Sequence, residues 1–78
     1  MPNTFFVDAK GLLCPKPLVE ARKKLIKMNH GDILEILIDH DISRKELPLA
    51  MKESGNTVLE ILDLPEGGWK IIIKKTGE

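Results

Sequence analysis

The sequence predicts an α/β (α+β) two-layer sandwich of order β-α-β-α-β-β, with a mixed four-stranded sheet and two helices on one face. Three observations predict it. Short β-rich apolar runs bounded by turn residues fill four segments, and apolar residues recur at helical spacing in two longer ones. Strand, helix and strand fill the first forty residues, which implies a right-handed crossover between parallel strands. The end of the chain reads as a hairpin, which adds an antiparallel pair. With 78 residues and a hydrophobic fraction of 42%, the chain has room for one domain, residues 1–78, with a thin core and no deep enclosed cavity.

Thr4 to Asp8 is a short β-rich run stopped by the Lys10-Gly11 turn. Pro15 to Met28 then carries Leu18, Ala21, Leu25 and Met28 on one helical stripe, flanked by Val19 and Ile26, with Lys16, Glu20, Lys23, Lys24 and Lys27 opposite. Gly31 is positioned to cap that helix in a left-handed conformation. Asp32 to Asp39 alternates as a strand, with Leu34, Ile36 and Ile38 on one face and Ile33, Glu35 and Leu37 on the other. Ser43 and Glu46 stand at capping-box spacing for a second helix, Ile42 and Leu47 at staple spacing, and Gly55 ends it. Pro48 falls past the first turn, where it removes the bond to Arg44, so a kink or a late start is expected. In the hairpin, Thr57 to Leu64 and Gly68 to Lys75 flank a Pro65-Glu66-Gly67 loop, a register that pairs Ile61 with Ile71 and Leu59 with Ile73. The face away from the helices then carries Ile33, Leu37, Leu62 and Ile72 among Glu35, Glu60, Lys70 and Lys74. Such a surface is either an ordinary half-exposed sheet or a contact site.

Charge narrows the function. Twelve basic and twelve acidic residues give a net charge of zero, which argues against strong direct binding to nucleic acid or to anionic membranes. The balance hides an asymmetry: Lys10 to His30 holds six bases against one acid, whereas Gly31 to Glu66 holds nine acids against three bases. The basic helix is a solvated outer face or a docking surface for an acidic partner. The N-terminus lacks a basic segment followed by a long apolar stretch, and a cytoplasmic location is expected.

The single cysteine, Cys14, can close no disulfide within the chain and can build no Cys-rich zinc site, and two scattered histidines do not change that. Neither a metal nor a cofactor is expected. Cys14 instead falls at the cap of the first helix, with Pro15 at the first helical position and Pro17 in the same turn. There the amides of Lys16 and Leu18 can point at the sulfur, and the helix dipole favours an anion. A buried core cysteine has no need of a glycine turn at Gly11, a helix start and two prolines, so Cys14 is read as a nucleophile. Thioredoxin-like enzymes keep a resolving cysteine three residues on; here that position is Pro17, which excludes dithiol cycling within the chain. His30 is about 24 Å away at the far end of the helix. His40, between Asp39 and Asp41 at the end of the second strand, lies on the same sheet edge as Cys14 and is either an assistant or a solvated loop residue.

Asp8, Gly11, Cys14, Pro15 and Pro17 spell D-x-x-G-x-x-C-P-x-P, which resembles the signature of the TusA/SirA family of small sulfur carriers. The likeness continues through Arg22-Lys23, Met28, Gly31-Asp32, Asp39 and Leu47-Pro48. It implies the same two-layer fold. It also implies that Cys14 accepts a sulfane sulfur as a persulfide from a cysteine desulfurase or a rhodanese-like donor and relays it to a downstream acceptor protein. The chain would then be a relay sulfurtransferase rather than a stand-alone enzyme. Members of the family feed tRNA thiolation, molybdenum cofactor synthesis or oxidative sulfur metabolism. Gly11, Pro15, Lys16, Pro17, Arg22, Lys23 and Asp39 are the binding positions the likeness suggests, with Lys16, Arg22 and Lys23 facing an acidic partner. Many members have two adjacent acids and a proline after the second strand, where this chain has Asp39-His40-Asp41-Ile42.

Two other functions compete. One is a protein- or RNA-binding regulatory module that uses the basic first helix or the open sheet face, with Cys14 incidental. The other is a single-cysteine peroxide reductase, which needs an Arg or Thr beside the thiol; none is close to Cys14 in sequence.

Overall fold

In the computed structural model, which describes residues 3–77, the predicted element order holds: β1 (Thr4–Asp8), α1 (Lys16–Ile26), β2 (Ile33–Ile38), α2 (Asp41–Glu53), β3 (Thr57–Asp63) and β4 (Trp69–Lys74). The sheet is ordered β1-β2-β4-β3. β1 and β2 are parallel, and β4 is antiparallel to both β2 and β3. The expected α+β sandwich with a mixed sheet is therefore the fold. Its register layers the side chains by face: Leu34 opposes Ile73 and Ile36 opposes Ile71, all four fully buried under the helices. Ala21, Leu25, Leu47 and Met51 close the core from the helical side. The opposite face carries Ile33, Glu35 and Leu37 on β2 against Lys74, Ile72 and Lys70 on β4, with Glu35 and Lys70 paired at 3.2 Å.

This topology fixes two ends of the sheet. The first strands finish at one edge, where both helices begin and the β3–β4 turn returns. At the other edge lie the starts of β1 and β2, the end of α1 and the end of β4.

Seven local expectations are corrected. Helix α1 starts one residue late: Pro15 is its cap, Lys16 its first residue and Pro17 its second. The core stripe accordingly begins at Pro17, which is fully buried, rather than at Leu18, while Val19 and Ile26 face solvent instead of flanking the core. Its end is early, at Ile26 with Lys27 as cap, so Gly31, at φ +92°, turns the chain into β2 and does not cap the helix. Helix α2 starts at Asp41, whose carboxylate favours a helix N-terminus, with His40 as an extended cap; no capping box forms at Ser43. Ile42 is exposed while Leu47 is buried, so no staple closes between them, and Pro48 does not delay the helix, which starts seven residues before it and runs through it to Glu53 with Pro48 buried. In the hairpin, Ile61 pairs with Ile71 as expected, but a bulge between Val58 and Glu60 gives Val58, not Leu59, to Ile73. The extra residue turns Leu59 out to solvent and leaves Val58 to pack on the core.

Candidate functional site

The loop between β1 and α1 is held almost entirely by its own backbone. Ala9 N–H donates to the Leu37 carbonyl at 2.8 Å, prolonging the β1–β2 ladder by one residue. Leu12 N–H then bonds the Ala9 carbonyl at 3.2 Å, and Lys10 N–H bonds the Asp8 carboxylate at 3.1 Å. Gly11 lies at φ +83°, a left-handed conformation that glycine adopts without strain. Its amide donates to Asp39 Oδ1 at 2.9 Å, across 28 residues of sequence. The loop closes with Lys16 N–H on the Leu13 carbonyl at 2.8 Å, and the Cys14–Pro15 peptide bond is cis.

Cys14 stands half-buried in this loop. Gly11, Leu12, Leu13, Cys14, Pro15 and Lys16 line a shallow, open depression of about 280 Å³. Leu13, 64% exposed, and Pro15 form its rim. Cys14 precedes the helix cap by one residue, and the Lys16 amide, expected to point at the sulfur, is spent on the Leu13 carbonyl. What remains near the thiol is the first turn of α1, which contains no acidic residue to offset the positive end of its dipole.

The structure brings together Gly11, Cys14, Pro15, Lys16 and, through its hydrogen bond, Asp39. It does not gather the rest. Pro17 is buried in the core. Lys23 continues the outer line of Lys16 two turns along α1 and pairs loosely with Glu20 at 3.9 Å. Arg22 is exposed about 120° round the axis from Lys16, with the exposed Val19 between them. His40 shares the sheet edge but not the depression; it caps α2, and its Nδ1 is buried without a partner. No three His, Cys, Asp or Glu side chains among the described residues converge as a metal site.

Sequence reading missed two contributors. Gly68, at φ +87°, lies so close to the end of β2 that a Cβ there would collide with the Ile38 carbonyl and stand 3.2 Å from both Cα and Cβ of Asp39. The tandem Gly67-Gly68 was the available signal. Leu13 and Val19 supply exposed apolar surface beside basic residues, a mixture that periodicity alone assigns to the core.

The family model described as sulfurtransferase TusA matches residues 5–75. The chain belongs to this family. The sulfur carrier protein TusA of Allochromatium vinosum is 35% identical over 71 residues, covering 90% of this chain and 91% of that protein. A protein of Thermotoga maritima, named as a candidate sulfur carrier, is 41% identical over 68 residues, covering 87% of this chain and 86% of its own. Among solved structures, the SirA-like protein of Desulfitobacterium hafniense superposes with a TM-score of 0.83 at 30% identity, covering 92% of this chain and 97% of that one. The TusA fold and the SirA-like fold are thus one architecture here, and the Gly11–Lys16 depression lies inside the matched segment.

Proposed function

We propose that this TusA-family chain is a sulfur carrier that holds a sulfane sulfur on Cys14 as a persulfide. The observation that carries the reading is a half-exposed thiol in an open depression, in a chain with no second cysteine to capture what it accepts. The Cys14 thiolate attacks the outer sulfur of a donor persulfide; the new S–S bond forms on Cys14 as the donor cysteine leaves as a thiolate. An acceptor nucleophile later attacks the terminal sulfur, and Cys14 departs as thiolate in turn. Each step moves one sulfur with no net oxidant or reductant.

The positive end of α1 favours a charged terminal sulfur, and the shallow depression leaves it within reach of another protein. A cysteine desulfurase or rhodanese-like protein is the proposed donor and a second carrier or a thiolating enzyme the proposed acceptor, tRNA thiolation being one such route, in the reducing cytoplasm where a lone thiol persists. Lys16 and Lys23, in line along α1, with Leu13 and Pro15 exposed beside the thiol, offer basic and apolar groups suited to an acidic partner, and Arg22 and Val19 extend them round the helix. Gly11 and Asp39 shape the loop, and Pro17 anchors it from within the core.

Incubation with a desulfurase and free cysteine is expected to make Cys14, and no other residue, one sulfur atom heavier by mass spectrometry. A chain that stays unmodified under conditions that load another TusA protein would end the proposal. If Cys14→Ser retained cellular function while Lys16, Lys23 and Lys27 changed to Glu abolished it, the binding-module reading would replace the carrier.

A further inference from the structure

One long-range side-chain hydrogen bond ties the Cys14 loop to the end of β2. Of its amides, Leu12 and Lys16 find carbonyls within the loop, but Gly11 donates to Asp39 Oδ1 at 2.9 Å. Asp39 in turn cannot drift toward the hairpin turn, because Gly68 presses its backbone against the Ile38 carbonyl and Asp39 with no room for a Cβ. A weaker strap, Lys10 Nζ to Glu66 at 3.7 Å, joins the loop directly to the β3–β4 turn. Three segments far apart in sequence therefore converge on the position of one amide, three residues before the thiol.

We propose that Asp39 is a positioning residue for Cys14: its carboxylate oxygen fixes the Gly11 amide, and Gly68 of the β3–β4 turn sets where that oxygen stands. The proposal deepens the carrier reading and rests on it for the sulfur-transfer step. It differs from the binding position the family likeness suggests for Asp39, since an acceptor oxygen toward Gly11 is needed and contact with a partner is not. Asparagine keeps that oxygen; alanine removes it.

The test compares D39A, D39N and G68A with the parent chain in three measurements: exchange of the Gly11 amide by NMR, alkylation of Cys14 by iodoacetamide, and desulfurase-driven loading at varied donor concentration. In D39A the Gly11 amide is expected to exchange about tenfold faster, the upper end for losing one ordinary hydrogen bond. The maximal loading rate falls by a similar factor while the half-saturating donor concentration holds. D39N restores both, and G68A follows D39A because it displaces the acceptor. An unchanged Gly11 amide in D39A overturns the proposal. So does an equal loss in D39A and D39N with a raised half-saturating concentration, which marks a charge that docks a partner. Should the parent chain take up no sulfur, the carrier reading fails, yet Gly11 exchange and Cys14 alkylation still decide the brace. A change in D39A that D39N reverses upholds it, and identical values in all variants refute it.

Discussion

The two edges of the sheet are built on opposite terms. At the edge where α1 ends, nearly every polar group is answered: buried Asp32 accepts the amides of Asn29 at 2.9 Å and Asn3 at 3.0 Å. Lys75, also buried, donates its ammonium to the Leu25 and Met28 carbonyls at 2.6 and 2.8 Å, closing the end of the helix. Asn56 ties down Thr76 and Gly77 by accepting from their amides. At the edge where the helices begin, Leu13 and Ile42 are exposed, and one long-range side-chain hydrogen bond and one loose ion pair tether the Cys14 loop. Buried Ser43 Oγ and His40 Nδ1 there have no partner. Stability is concentrated at the closed edge, and reactive, partner-seeking surface at the open one.

Substituting one residue at each edge separates the two most sharply. Cys14→Ala is expected to abolish sulfur loading while changing unfolding free energy by no more than about 0.5 kcal/mol, the usual range outside the core. Lys75→Met keeps the aliphatic stem but strips two helix-end carbonyls of their donor. It is expected to cost about 1–3 kcal/mol in chemical denaturation, the penalty for leaving buried acceptors unmatched, with loading by the remaining folded protein unaffected. A C14A variant that unfolds easily, or a K75M variant that is fully stable, would dissolve the division.

Much of this plan is legible in the chain. β1 is bounded correctly because its β-rich run stops at a turn dipeptide, and the hairpin keeps its register through Ile61–Ile71 because loop length dictates it. The thiol before two prolines could be singled out from local chemistry. What stayed hidden depends on distance: the bulge at Leu59, the acceptor role of Asp39 and the cap made by Lys75 each join residues far apart in sequence. Spacing also misplaced the start of α2, since Ser43 and Glu46 satisfy a capping box on paper while Asp41, two residues earlier, supplies the charge that nucleates the helix. The exposed Val19 shows the converse limit, an apolar residue at core-like spacing that the sheet has no room to cover.

Acid sharpens the contrast next. Hydrogen bonds from the Asn29 and then the Asn3 amide, with Lys75 nearby, hold the Asp32 carboxyl below its ordinary value near 3.8. A group lowered in the folded state contributes stability that is full above the unfolded value and is lost as pH falls through the folded one. Unfolding curves taken through the acid range are expected to show the closed edge weakening below about pH 4, near the ordinary carboxylate value. Asp32→Asn should be less stable at neutral pH and should flatten that slope; a parallel slope would remove Asp32 from the account.

The smallest effect falls at the open edge and runs the other way. Ser43 is only 2% exposed in the first turn of α2, and its hydroxyl meets neither donor nor acceptor. Folding thus strips water from the group without replacing it, a cost on the order of 1 kcal/mol. Alanine removes the hydroxyl, leaves almost no cavity and favours the helix. Ser43→Ala is therefore expected to stabilise the protein by up to about 1 kcal/mol, read as a higher denaturation midpoint at unchanged slope. A loss of stability would mean that the hydroxyl is satisfied, through a bound water bridging it to His40 Nδ1, and that the start of α2 is as carefully closed as the end of α1.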